Sequence, residues 1–561
     1  MAHRENGKDS REEYRRVQDR KKRQLEKSKR SAEEVRTSAS VKQASPYKTK
    51  LKKSGVKAKQ QERYQRRMER MRRRGSVARG LVLLALQIAA VMAFMAALFS
   101  LDMMPTSYLV VIAGILIVTI AVTLATQLSG RGKRIAGKAF SVVISMVMVV
   151  GVYYIVKGNT VFADVTSGGE YKTDHIVVAV LKNDSAENIT DAADYTFGIQ
   201  YAKDSEHTDE AVQYISDETN KTIAVEKLAS MPEQAQALLD GEVEAIVYNE
   251  GFTEIMNQAV SGYEDEIKII YTHTIETDLQ DLTIDVSVQE EPFNVYISGI
   301  DVYGDITTNS RSDVNIIATV NPKTKQILLT TTPRDYYVPI PNVSNGRKDK
   351  LTHAGVYGVD VSMDTLEEIY DIDIPFYARI NFTSMIEIVD ILGGIDVDSE
   401  VEFTTSHEAG KVVTITKGMN HLNGEEALAF CRERKAFLEG DNQRGKDQQK
   451  VITAIIQKVI SPTMIVKASS ILDSVAHSVD TNMQTDQIKA LIKQQLRDNA
   501  DWKIASVSAE GEGELNVCYS SGSQELYVTI PDEDSVEKIQ EMMQKVMNGE
   551  ILEDSVTASG R

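Results

Sequence analysis

Three stretches of the chain carry no charged residue at all: GLVLLALQIAAVMAFMAALFS (80–100), SYLVVIAGILIVTIAVTLATQL (107–128) and AFSVVISMVMVVGVYYIV (139–156). At 1.5 Å rise per residue each reaches roughly 27–33 Å, about one hydrocarbon core, so the pattern predicts three transmembrane helices. The first begins too deep in the chain to belong to a cleavable signal peptide. Residues 1–79 hold few large apolar residues and no sustained helical stripe, which predicts a largely disordered or transiently helical arm.

Beyond a short polar linker at 158–174 the pattern changes to short runs of alternating type. HIVVAVL and TFGIQY read as strands, EAVQYISDE as a helix, the stretch from Lys221 to Gln258 as strand, helix, strand, helix, and KIIYTHTI as a last strand. Alternation of this kind predicts a small α/β layer over about 175–280. Within it QAQALLDGEVEAIVYN resembles a segment of solute-binding receptor domains. About 100 residues is half of such a receptor, so the expectation is a spacer or accessory module, with a ligand-sensing module as the competing reading. From Pro292 a second series begins. FNVYISGID is a strand, VNIIATVNPKTKQILLTTTPRD is two strands about the turn NPKTK, and VSMDTLEEIYDI is a helix. ARINFTSMIEIVDILGGIDV reads strand, helix, then a Gly-Gly stop. GEEALAFCRERKAF, QQKVITAIIQKVI and TDQIKALIKQQL read as helices, and the tail ELYVTIPDEDSVEKIQEMMQKVM as a strand and a helix. The expected result is one larger α/β domain over 292–549, with a mixed sheet between helical layers.

Charge divides the chain at the apolar runs. Residues 1–79 carry 28 Lys+Arg against 10 Asp+Glu, whereas residues 158–561 carry 31 against 70. The link LDMMP between the first two runs has no Lys or Arg, while RGKRIAGK between the second and third has four. The positive-inside rule therefore puts the arm and the 131–138 loop in the cytoplasm and residues 158–561 outside. The basic arm is expected to lie against anionic lipid. Non-specific contact with nucleic acid is its alternative, without helix-turn-helix or zinc spacing to support it. The two cysteines, Cys431 and Cys518, could pair outside the cell, but two in this length make no disulfide framework.

Basic residues are scarce after residue 158, so their grouping is informative. In GIDVYGDITTNSRSD (299–313), Asp301 and Asp313 lie twelve apart with Arg311 two places before the second. Arg334-Asp335 ends a strand, Arg432 and Arg434 flank Glu433, and Arg444 and Gln448 stand one helical turn apart. Arginine suits bidentate contact with phosphate, and paired aspartates suit Mg²⁺ held together with substrate phosphates. The competing reading is a set of solvated turns, helix caps and ion pairs. No Walker loop, HExxH, CxxC or GxSxG occurs, which argues against nucleotide motors, zinc proteases and serine hydrolases.

Taken in order, GIDVYG…RSDVNIIATVNPKTKQILLTTTPRDYYVPIP, DKLTHAGVYGVD, FTSMIEIVDILGGIDV and CRERKAF…GDNQRGKDQQKVI closely resemble the LytR-CpsA-Psr family, over residues 296–455 and plausibly on to about 549. The three apolar runs and the 175–280 segment resemble its capsule-associated CpsA branch from streptococci and relatives. The resemblance implies a membrane-anchored enzyme that transfers undecaprenyl-pyrophosphate-linked glycopolymers to peptidoglycan with Mg²⁺. It implies Asp301 and Asp313 as metal ligands, and Arg311, Arg334, Arg432, Arg434 and Arg444, with Gln448, as pyrophosphate contacts. Lys350 and His353 fall in a motif near that site, and Asp335 is the candidate for positioning or deprotonating the acceptor hydroxyl. Val302-Tyr303-Gly304 stand where many members have an arginine shortly after the GxD motif. A regulatory role as a transcriptional attenuator, acting through the basic arm, is the alternative from a different class.

Overall fold

The three apolar runs fold as helices Pro46–Leu101, Thr106–Leu128 and Arg131–Thr166 in the computed structural model. The model describes residues 46–166, 171–200, 205–278, 286–300, 306, 308–437, 440–461, 464 and 479–552. The segments Gln61–Leu101, Thr106–Leu128 and Arg131–Lys157 are long and apolar enough to cross a membrane. Residues 46–79, expected to be largely disordered or transiently helical, are instead continuous with the first of these helices. Lys, Arg, Gln, Glu and Met dominate this stretch and lose little rotamer freedom in a helix. Continuity with the apolar run also removes one fraying end. Residues 1–45, which hold most of the arm weighed for lipid or nucleic-acid contact, lie outside the described residues.

The chain divides into two compact units, one made of residues up to Leu84 with Leu124–Lys138, the other of Ala85–Thr123 with Ala139–Arg561. In the first, Lys138 Nζ donates to Ser76 Oγ at 2.9 Å. In the second, Val91, Leu116 and Met148 pack together and Gln87 Nε2 donates to Thr119 Oγ1 at 3.3 Å. Val110, Ile115 and Val147 stay exposed, as apolar residues on lipid-facing helix surfaces are.

The small α/β layer has strands β1 (Tyr171–Leu181), β2 (Thr196–Gln200), β3 (Ala224–Leu228), β4 (Ala245–Asn249) and β5 (Ile267–Asp278) in the order β3-β2-β4-β1-β5. β2 runs parallel to β3 and β4, and β1 antiparallel to β4 and β5. The unbroken run HIVVAVL is explained by burial on both faces. Ile176, Val178 and Val180 pack with Ala211 and Ile215 of helix Ser205–Thr219. Val177 and Ala179 pack with Met231, Ala235 and Leu238 of helix Met231–Leu239.

The larger domain is built on β6 (Phe293–Ile300), β7 (Ser312–Asn321) and β8 (Gln326–Thr331), an antiparallel meander extended on both sides. Strand Phe376–Ile380 adds in parallel to β6, and Lys503–Ser508 in parallel to β8. The two-residue strand Asp480–Thr481 closes one edge. On one face Tyr296, Ile317 and Leu328 meet Leu366 of helix Val359–Tyr370 and Met543 of helix Glu533–Met547. On the other, Ile316, Ala318 and Leu329 meet Ile452 of helix Gly440–Val459. The sheet is mixed and lies between helical layers, as expected.

One element is shorter than its pattern. The helix expected over GEEALAFCRERKAF stops at Arg432, because Glu433 takes extended backbone (φ −65, ψ 130). Its buried carboxylate accepts backbone N–H bonds from Ser406 and, at 2.9 Å, from Ala436. Arg432 and Arg434 therefore leave the chain from different backbone conformations. Cys431 and Cys518 are free, each buried in a separate cluster.

The strand that ends at Ile380 is locked to the sheet edge by a buried ion pair. Arg379 Nη2 and Nε lie 2.7 and 3.0 Å from Asp480 Oδ2, and Tyr377 donates its hydroxyl to Asp480 Oδ1 at 3.2 Å. Asp480→Ala would strand a guanidinium in the core. It should lower stability by about 3–5 kcal/mol, seen as a large fall in the thermal unfolding midpoint of the purified protein.

Candidate functional site

The site grows from the first residues of β7. Asp313 accepts from Arg334 Nη1 at 2.9 Å through Oδ2 and from Thr352 Oγ1 at 3.1 Å through Oδ1. Burial by itself would raise this carboxyl. The guanidinium charges of Arg334 and Arg311 and the two hydrogen bonds outweigh it and hold Asp313 below the usual carboxylate range. Arg334 Nε also lies 3.5 Å from Asp335 Oδ2, and Asp335 Oδ1 lies 3.0 Å from Lys350 Nζ. Asp313, Arg334, Asp335 and Lys350 thus form one chain of alternating charge, with Asp335 and Lys350 only 6% and 5% exposed.

Helix Leu351–Tyr357 carries Thr352 to this chain because Gly355 lets it close on the loop before β7. A Cβ at Gly355 would lie 2.6 Å from Ser310 O and 2.8 Å from Ser312 N. The backbone is coupled as well, since Thr352 N donates to Arg334 O at 2.8 Å.

Beside Asp313 opens a cavity of about 230 Å³. Its polar lining is Asp313, Arg432, Arg434, Lys435, Arg444 and Gln448, together with Asn381, Ser406 and Glu408, and Lys435 is ion-paired to Glu408. Its apolar lining comes from Ile300 and Ile380 at the ends of two neighbouring parallel strands, and from Phe382, Met385, Leu428 and Ile452. Arg432 stacks over Phe382, its Cζ 4.4 Å from the ring centre, a contact that fixes the guanidinium plane. Arg444 and Gln448 share one face of helix Gly440–Val459, as their spacing implied.

Of the expected site residues, Asp313, Arg432, Arg434, Arg444 and Gln448 line one cavity, while Arg311, Arg334, Asp335 and Lys350 stand behind Asp313 as its electrostatic support. Asp301 lies outside the described residues, as do Val302, Tyr303 and Gly304. No group of three or more His, Cys, Asp or Glu side chains forms a metal cage among the described residues. A magnesium site of one or two carboxylates completed by substrate phosphates needs none. An ionised Asp313 at the edge of an arginine-lined cavity has the hard oxygen donor such an ion takes.

His353 is set apart from the cavity residues. It is fully buried, with Nδ1 2.7 Å from Asp349 Oδ1 and 2.9 Å from Ser520 Oγ. Ser520 N donates to Asp349 Oδ2 at 2.8 Å. Burial would raise the Asp349 carboxyl, but His353 and these hydrogen bonds hold it low. This cluster seats Lys350, the next residue after Asp349, and ties it to the chain 170 positions later. Thr352, Phe382 and Lys435 were not singled out from sequence, although each had a local signal: Thr352 stands between Lys350 and His353, Phe382 opens the FTSMIEIVDILGGIDV motif, and Lys435 follows Arg434.

The fold and site define an α/β domain, carried by a chain with three membrane-length helices, whose cavity joins a cationic lining to an apolar one. The LytR_cpsA_psr family matches residues 257–545, and the chain belongs to that family. It is 35% identical over 263 residues to the polyisoprenyl-teichoic acid–peptidoglycan teichoic acid transferase TagU of Halalkalibacterium halodurans, covering 46% of this chain and 80% of that protein. To TagV of Bacillus subtilis, a transferase of the same description, it is 31% identical over 264 residues, 46% of this chain and 66% of that protein. The crystal structure of B. subtilis TagV aligns at 29% identity and a TM-score of 0.40, covering 46% of this chain and 98% of that one. The expectation of an enzyme agrees with these relatives, both of them transferases by name.

Two substitutions probe the site's construction. Gly355→Ala should force the helix off the loop and destabilise the protein by about 1–3 kcal/mol, read by thermal unfolding. Asp447, buried one turn after Gln443 with burial as the main cause, has its carboxyl raised to about 6. A raised carboxyl contributes stability below the unfolded value near 4 and loses it as pH climbs to about 6. Asp447→Asn should therefore be the more stable protein at pH 7, by roughly 1–3 kcal/mol, and flatten the stability slope between about pH 4 and 6. Chemical denaturation at several pH values checks both.

Proposed function

We propose that this protein is a membrane-anchored phosphotransferase that moves a glycopolymer from a polyprenyl pyrophosphate carrier to peptidoglycan. The observation that carries the reading is the cavity's double lining. Three arginines and a lysine meet a diphosphate, while Ile300, Ile380, Met385, Leu428 and Ile452 meet the first isoprene units. A prenyl pyrophosphate asks for both in one cavity. The transferase relatives act, by name, on a polyisoprenyl-linked polymer and peptidoglycan, which fits the same chemistry. A capsular polysaccharide is the proposed polymer, following the likeness of the three-span, two-domain chain to the CpsA branch. The orientation read from flanking charge puts the cavity outside the cell, where peptidoglycan is.

In this reading a peptidoglycan hydroxyl oxygen attacks the glycan-linked phosphorus and its proton passes to solvent water. The bond from that phosphorus to the bridging oxygen breaks, and polyprenyl phosphate leaves with the electron pair. Arg432, Arg434 and Arg444 neutralise charge that builds on the leaving phosphate, and Gln448 orients it. Asp313, with Asp301, would hold Mg²⁺, whose contribution is to neutralise phosphate charge. Arg334 keeps Asp313 ionised and aimed, and Arg311 adds a second cation beside it. Asp335 links Arg334 to Lys350 and, not lining the cavity, supports the site through those two cations rather than by contacting the acceptor hydroxyl.

The test incubates the detergent-solubilised full chain with polyprenyl-pyrophosphate glycans, capsular and teichoic, and peptidoglycan fragments, with and without Mg²⁺. Attached glycan and released polyprenyl phosphate are both followed. Metal-dependent transfer should fall at least about 100-fold in Arg334→Ala and Asp313→Ala. Release without attachment would make the protein a pyrophosphatase, and no release from any donor would overturn the reading.

A further inference from the structure

The small α/β layer was expected to be a spacer or accessory module, with a ligand-sensing module as the competing reading. Its first strand contacts the segment that leads into Asp313. Thr173 of β1 bridges Thr308, and Asn309 N donates to Thr173 O at 2.8 Å. Asn309 Nδ2 lies 3.1 Å from both carboxylate oxygens of Asp174, whose Oδ1 also accepts from Asn249 Nδ2 at 2.9 Å. Asp174, Asn249 and Asn309 are 3%, 4% and 3% exposed. Two residues on, Arg311 Nη1 stands 4.0 Å from Glu254 Oε1, on helix Thr253–Ala259 of the same layer.

A second grip holds the other side of the loop. Lys172 Nζ donates to Tyr357 O at 2.8 Å, Phe252 packs edge-on against Tyr357, and Val356 is buried in the small layer's own core. Helix Leu351–Tyr357 is thereby pressed on Ser310 and Ser312 through Gly355. A tethered spacer needs only a hydrated polar boundary. A carboxylate withdrawn from water and satisfied by two amides is directional and strongly unfavourable to misplace.

We propose that the small α/β layer is a working part of the active site, with Asp174 and Glu254 as positioning residues that set the loop bearing Asn309, Arg311 and Asp313 for the pyrophosphate. The role in catalysis rests on the function proposed above; the latch itself does not. Asp174 fixes the backbone through Asn309, Glu254 limits where the Arg311 guanidinium swings, and both arrive at Asp313 within four residues.

The experiment uses full-length protein in detergent, geranylgeranyl pyrophosphate as the probe with Mg²⁺, and hydrogen exchange of peptides covering 308–316. Asn309→Asp sets two carboxylates face to face. It should speed exchange in those peptides by at least about tenfold and weaken probe binding by roughly 10- to 100-fold. Adding Asp174→Asn rebuilds an amide–carboxylate pair with the roles exchanged and should restore both, a rescue that general destabilisation would not give. Glu254→Gln, at a partly exposed position, should weaken binding several-fold with an unchanged melting temperature, and it keeps the test decisive if Asn309→Asp folds poorly. Wild-type exchange and affinity in both Asn309→Asp and Glu254→Gln would overturn the proposal, as would failure of the exchanged pair to rescue. If the wild type binds no pyrophosphate, the functional reading fails, and exchange in 308–316 alone decides whether the latch exists.

Discussion

A half-buried carboxylate beside two guanidinium groups organises this protein's larger domain. Asp313 stays ionised in its partly desolvated position because Arg334, Arg311 and Thr352 are held beside it. Those three come from separate segments, so satisfying one charge obliges the loop before β7, the turn after β8 and helix Leu351–Tyr357 to converge. The tight approach at Gly355, the Asp335–Lys350 pair and the buried Asp349–His353–Ser520 cluster all follow from that convergence. Each satisfies a polar group that the crowding would otherwise leave stranded.

The cavity inherits its shape from the sheet. Ile300 and Ile380 stand at the ends of adjacent parallel strands, the end of an α/β sheet where ligands are received. The Arg379–Asp480 pair holds the second of those strands to its edge partner. Helix Gly440–Val459 then covers the sheet with Ile452 while presenting Arg444 and Gln448 from the same length of backbone. An apolar wall and a cationic wall are thus two consequences of one helix packed on one sheet. The link after the first membrane-length helix also touches this domain. Leu101 and Met103 pack on Ile492, and Lys493 Nζ lies 2.6 Å from Asp102 Oδ1.

Much of this is legible in the sequence. Apolar runs of membrane length, strands that alternate or run continuously apolar, and the Gly-Gly stop after Ile391 are local signals. They are read by the same backbone and solvation physics that forms the elements. The arginines stood out because they are rare in the acidic part after residue 158, and the four ordered motifs named the family. The helix through GEEALAFCRERKAF misled because its end is not set locally. Glu433 breaks it by bonding Ser406, 27 positions away, which no window of neighbours contains. The basic stretch before the first span misled in the opposite sense, since a helix polar on all sides leaves no stripe to read.

The sequence by itself determined the three apolar spans, most strands and helices (though not helix Leu351–Tyr357 or strand Lys503–Ser508) and which residue types were available for phosphate, because each depends on composition within a few turns of chain. Only the tertiary structure decided that Arg334, Asp335 and Lys350 stand behind Asp313 while Arg432, Arg434, Arg444 and Gln448 face the cavity with it. It alone placed Asp174 against Asn309 and Glu254 beside Arg311. Those outcomes turn on which distant groups share the removal of one charge from water, and that is settled by packing across 135 residues of separation, as between Asp174 and Asn309.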